Sequence, residues 1–114
     1  MKRIAAVVCA DDPASPVLSE ILAGLEEEGV PGEVMSIGEA FTKSGDAASA
    51  GAGPIELAKS ASRESVFGCG IGLGGGEAAL FAGGAVIMAP GDASPRIAGK
   101  NAALYIKRER FELA

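Results

Sequence analysis

Histidine and tryptophan are absent from this chain, tyrosine occurs once, and aromatic residues make up 4% of it. Without imidazole there is no histidine general base, no Ser–His or Cys–His nucleophile pair, and no zinc site built on histidine. Cysteine is almost as scarce. Cys9 and Cys69 both fall in apolar stretches that read as buried strands, where a thiol is reduced, packed and inert. No apolar run approaches the roughly 20 residues that a membrane span requires. The basic start Met1-Lys2-Arg3 ahead of Ile4–Ala10 mimics a secretory signal. The run is short, has no small-residue cleavage site and closes on Asp11-Asp12, so it reads as a first strand and the chain as cytoplasmic. Basic charge is also lacking, and a net charge of −5 argues against nucleic acid or an anionic membrane as partner.

What remains is an aliphatic, glycine-rich chain of 114 residues, 48% apolar, with 17 glycines and its apolar residues spread along the whole length. That supports a single domain over 1–114, burying roughly 65% of its unfolded surface. Arg3–Cys9 is a continuous apolar run, the pattern of a strand covered on both faces. A helix follows over Pro16–Glu28, with Ser15 as N-cap, Pro16 at the first helical position and a stripe of Val17, Leu18, Ile21, Leu22 and Leu25. Gly29 closes it as a left-handed cap, Val30 is placed for the accompanying apolar contact, and Pro31 forbids continuation. Glu33–Ile37 reads as a second strand, Thr42–Gly53 as a flexible loop, and Pro54 opens a helix to Ser62 with Ile55 and Ala58 inward. Val66–Leu73, Glu77–Ala82 and Ala85–Ala89 read as three further strands, the last of them buried. A final helix spans Pro95–Arg108, with Ile97, Ala98, Ala102, Leu104 and Tyr105 on its inner face. Its basic end, Lys107, Arg108 and Arg110, reads as a solvated terminus that complements the helix dipole. The order βαβαβββα predicts a three-layer α/β/α sandwich on a mixed, mostly parallel sheet of about five strands.

Two patterns bear on function. Gly70, Gly72 and Gly75 spell GxGxxG after an apolar strand, with Asp92 downstream, as a dinucleotide site would. The stretch before the next strand is thin for the helix whose N-terminus would hold a pyrophosphate. The better reading is structural: Gly68, Gly70 and Gly72 let a helix approach the strand, and Gly74–Gly76 reverse the chain so that the next strand is antiparallel. A strand ending in Asp11-Asp12 before an amphipathic helix is also how receiver domains open, but their phosphoacceptor position at the end of the third strand is glycine here.

The second pattern is Glu26-Glu27-Glu28 at the end of the first helix. Each carboxylate there opposes the helix dipole by about 0.3–1 kcal/mol, and the three repel one another. They are either solubilising charges at a fraying end or groups that a cation or a basic partner neutralises. Asn101, on the inner face of the last helix, needs a hydrogen bond or costs about 1–3 kcal/mol. It either bonds a loop backbone or meets a partner, and with Glu26 and Glu28 it is a candidate partner-binding residue.

Gly24–Val34, Gly68–Leu73 and Arg96–Phe111 occur in an order that resembles the small subunit of the diol/glycerol dehydratase reactivating factors and the related medium subunit of those cobalamin-dependent dehydratases. The Glu-Glu-Glu-Gly-Val-Pro and Gly-Lys-Asn-Ala-Ala segments are its most specific parts, and the similarity covers about two thirds of the chain. The resemblance implies a fold like that of anticodon-binding domains, with the fourth strand antiparallel. It implies a non-catalytic subunit paired with a large subunit that has an actin-like ATPase core and holds the ATP chemistry. Such a complex acts as a chaperone, releasing damaged cobalamin from inactivated dehydratase by exchanging subunits with it. It further implies that Glu27 reaches a divalent cation such as Mg²⁺ at the subunit interface, with no cofactor held by this chain alone. A dehydratase medium-subunit-like component that contacts cobalamin is the alternative. The Thr42–Gly53 loop and the short glycine-rich turn after Leu73 are departures from the family pattern.

Overall fold

The computed structural model describes residues 3–11, 15–36, 53–92 and 94–113, without the side chains of residue 36 and of 109–113. The loop expected over 42–53 lies, but for its last residue, outside them. The elements run β1 (Ala6–Ala10), α1 (Pro16–Glu27), β2 (Gly32–Ser36), α2 (Pro54–Arg63), β3 (Cys69–Gly74), β4 (Glu77–Ala82), β5 (Ala85–Met88) and α3 (Pro95–Leu113). Five strands form one sheet in the order β2-β1-β3-β4-β5. β1 is parallel to both its neighbours, and β4 is antiparallel to β3 and to β5. The mixed, mostly parallel sandwich read from the sequence is the fold observed.

Local chemistry bounds α1 at both ends. The Ser15 hydroxyl accepts from the Val17 N–H at 3.2 Å, ahead of Pro16. At the other end Gly29 adopts φ +73°, its N–H donates to the Glu26 carbonyl, and the Val30 N–H donates to the Leu25 carbonyl. This pair of bonds is the Schellman motif, and the buried Val30 supplies its apolar contact.

The apolar side chains divide between the two faces of the sheet. On one face Ala6, Val8, Cys69, Ile71, Leu73 and Leu80 meet Ile21 and Leu25 of α1 and Ala98, Ala102 and Ile106 of α3. On the other, Val7, Cys9 and Met35 meet Leu57 and Ala61 of α2. Cys9 and Cys69 therefore sit on opposite faces, both buried and neither in a disulfide. Burial pushes the Cys69 thiol up to about 12, because the thiolate would lose its water.

Gly70 and Gly72 face α2. A Cβ on Gly72 would run into the Pro54 carbonyl oxygen and the Ala58 nitrogen, and one on Gly70 into the Ala58 oxygen and the Ser62 nitrogen. The close approach expected of these glycines is thus present, at Gly70 and Gly72 but not at Gly68. Gly68 precedes the strand at φ +66°, with open space where its side chain would be. β3 begins at Cys69 rather than Val66, which is 54% exposed. Gly75 and Gly76, both at positive φ, make the two-residue turn into β4, and Gly83-Gly84 repeat the device before β5.

Three other expectations are corrected. β5 is an exposed edge strand rather than a buried one, because the layer of α1 and α3 stops over β4. In α2 the inward residues are Leu57, Ala58 and Ala61, with Ile55 half-buried. The inner face of α3 is Ala98, Ala102, Ala103 and Ile106, while Ile97 and Leu104 are exposed. The cause is a backbone crossing: a Cβ on Gly24 of α1 would strike the Arg96 carbonyl oxygen, and one on Gly99 the Ile21 carbonyl oxygen. At that separation only small side chains fit between the helices, so the alanines turn inward.

Candidate functional site

The Gly24–Gly99 crossing sets the first turn of α3 against the last turn of α1, and the triple glutamate lies there. Arg96 donates to Glu27 Oε1 from Nε at 2.8 Å and from Nη2 at 2.6 Å. Lys107 Nζ donates to Glu28 Oε1 at 3.0 Å. Glu26 is exposed and has no charged partner among the described residues. Two of the three frustrated carboxylates are thus neutralised inside the chain, by cations of α3.

Glu27 is 38% exposed and Arg96 49%, so this is a surface pair. The carboxylate raises the Arg96 guanidinium further above its ordinary range, through the hydrogen bond first and the nearby charge second. Both contacts from Arg96 fall on Oε1, which leaves Oε2 without a bond from the chain's own cations among the described residues. No three acidic or cysteine side chains converge on one point among those residues. What the surface offers a hard cation is one carboxylate oxygen at the rim, a site that a second chain would have to complete.

Asn101 lies apart from the glutamates. It is half-buried and donates from Nδ2 to Met88 Sδ at 3.2 Å, so its partner within the chain is a strand side chain rather than a loop backbone. The glycines of the GxGxxG pattern belong to packing: no helix follows them, and the Gly75 N–H donates to the Asp11 carboxylate at 3.1 Å. Asp92 accepts from the Ala89 N–H at 2.9 Å, closing a turn.

Arg96 and Lys107 escaped the sequence reading as functional residues. Their separation is about three helical turns, which puts both on the side of α3 that faces α1. That spacing, set against two adjacent glutamates at another helix end, was the available signal. Lys107 is accordingly an ion-pair partner and not a solvated terminus.

A family model described as dehydratase medium subunit matches residues 3–112. The chain belongs to the dehydratase medium-subunit family. Among solved structures it is similar to a glycerol dehydratase reactivase at 27% identity, covering 93% of this chain and 94% of that one with a TM-score of 0.70. A diol dehydratase-reactivating factor complexed with ADP and Mg²⁺ shares the fold at 23% identity and TM-score 0.67, covering 94% of this chain and 95% of that one. No curated protein sequence matches the chain. The family membership and the reactivase-like fold agree with the resemblance drawn from the glutamate and Gly-Lys-Asn segments. Among the described residues no helix is long and apolar enough to cross a membrane.

Proposed function

We propose that this chain is the non-catalytic small subunit of a reactivating factor for cobalamin-dependent diol or glycerol dehydratase. It pairs with an ATPase large subunit and exchanges with a dehydratase subunit, releasing damaged cobalamin. The observation that carries this reading is the full-length match to a glycerol dehydratase reactivase within the dehydratase medium-subunit family. The similar reactivating factor was solved with ADP and Mg²⁺, which supports a role for a divalent cation in such complexes. In this chain Glu27 Oε2 would hold the cation, with the other ligands supplied by the large subunit and by water. A cation held there would supply positive charge that offsets the carboxylate at the rim. Arg96 would hold Glu27 in place through Oε1, and Glu26, which has no charged partner among the described residues, adds negative field beside it.

Glu27→Gln tests this: it keeps the side chain's size and removes its charge. The isolated variant should fold as wild type does but co-purify less with the large subunit in Mg²⁺. Undiminished complex would remove Glu27 from the interface. The family description keeps a second reading in play, a medium-subunit-like component that touches cobalamin. Retention of the chain on immobilised cobalamin without any partner would favour it.

A further inference from the structure

Arg96 stands between two carboxylates of α1. Its backbone packs against Gly24, where a Cβ would strike the Arg96 carbonyl oxygen. Glu20 lies four residues before Gly24 and Glu27 three after it; seven residues make two helical turns, so both carboxylates leave α1 on one side. Both are exposed. Arg96 bonds only Glu27, through Oε1, from Nε and Nη2. Glu20 has no ion-pair partner among the described residues. The Arg96 guanidinium, raised first by its hydrogen bond to Glu27, is raised also by the charge of Glu20. Lys100, one turn along α3, lies against Gly24 as well and has no ion-pair partner among the described residues.

We propose that Arg96 sets the divalent-cation requirement of assembly: it occupies Glu27 while the chain is free and turns to Glu20 when a cation takes the carboxylate. This rests on the functional reading above and adds a competitor to it. A divalent cation on Oε2 and a guanidinium on Oε1 of one carboxylate are like charges a few ångströms apart, and they repel. The Glu27–Arg96 pair is exposed on both sides, so it resists that repulsion only weakly. Arg96 thus presents Glu27 to an incoming cation and then gives it up, with the unpartnered Glu20 on the same side of α1 to receive the guanidinium. Breaking the pair is a cost that cation binding has to cover. The cation concentration needed for assembly therefore carries the strength of this one ion pair.

The test measures the Mg²⁺ concentration at half-maximal assembly of the full chain with the large subunit of the reactivating factor. Arg96→Gln should lower that concentration by about two- to fivefold, the worth of an exposed ion pair, while melting stays close to wild type. Lys100→Gln removes a neighbouring charge that holds neither carboxylate and should move it less. Glu20→Gln should raise the requirement by itself and leave it nearly unchanged on top of Arg96→Gln, a coupling that independent charges would not show. A higher requirement for Arg96→Gln would make Arg96 a brace that assembly needs, and would overturn the proposal alone. Equal shifts from Arg96→Gln and Lys100→Gln would do the same, as would a Glu20→Gln effect that is identical in both backgrounds. Assembly of wild type that is indifferent to Mg²⁺ would overturn the cation's part in the functional reading, and no assembly at any Mg²⁺ would overturn that reading altogether. The proposal falls with either.

Discussion

Under α1 and α3, strand β3 presents Cys69, Ile71 and Leu73, and the helices rest on side chains; under α2 the same strand presents Gly70 and Gly72, and the helix backbone rests on the strand. At β3 one face is held by interlocking aliphatic volume and the other by close backbone contact, with Val7, Cys9 and Met35 packing on Leu57 and Ala61 beside it. The two faces therefore fail in opposite directions. Where side chains fill the space, removing atoms leaves a cavity; where backbones touch, adding atoms forces them apart.

Gly72→Val attacks the glycine face and should have the largest effect. Its side chain would collide with backbone atoms of Pro54 and Ala58, which cannot rotate away. The loss should remove most of a domain's ordinary stability of about 5–15 kcal/mol. Little folded protein should be recovered, and a variant that melts like wild type would show that α2 can lift off the sheet. Ile71→Ala, one residue away on the opposite face, should lower unfolding free energy by about 2–5 kcal/mol in urea titration, with the slope unchanged. If it were the milder partner of a tolerated Gly72→Val, the contrast between the faces would be void.

A smaller effect should appear at alkaline pH. The folded Cys69 thiol titrates near 12 instead of 9.0, so its contribution is complete below pH 9. As pH rises from 9 toward 12 the unfolded chain releases this proton and the folded one keeps it, so stability falls across that window. Cys69→Ala should flatten this part of the pH–stability curve, and an unaltered slope would refute the assignment. Smallest of all should be Arg96→Gln. Both members of its ion pair are exposed, so the melting temperature should scarcely move. A large drop would mean that this pair, and not the Gly24–Gly99 crossing, holds α1 against α3.

What could be read from the sequence was what local chemistry decides. Ser15-Pro16 and Gly29-Val30-Pro31 bound α1 through bonds made within a few residues, and both ends were legible. Gly70 and Gly72 were legible as close-approach positions because alternate glycines in an apolar strand have few other uses. The inward face of α3 was not. Ile97 and Leu104 are the larger apolar residues, yet the crossing at Gly24 admits only alanine-sized groups, a fact that belongs to two distant segments at once. The same holds for the glutamates: their frustration was visible along the chain, but its relief by Arg96 and Lys107 depends on how two helices cross. β5 looked buried because its composition is apolar, and only the order of strands shows that it is an edge.

The cap at the end of α1 has a mechanical consequence. Leu25 is wholly buried in the core, and its carbonyl oxygen also accepts the Val30 N–H at 3.1 Å, two residues before the chain enters β2. Glu27 sits inside the loop that this bond closes. If Glu27 meets a partner as proposed, a pull on its carboxylate would act on a short link bonded back to the helix end and running directly into the sheet. On the function proposed above, such an anchorage would suit a subunit that exchanges between neighbours while staying folded.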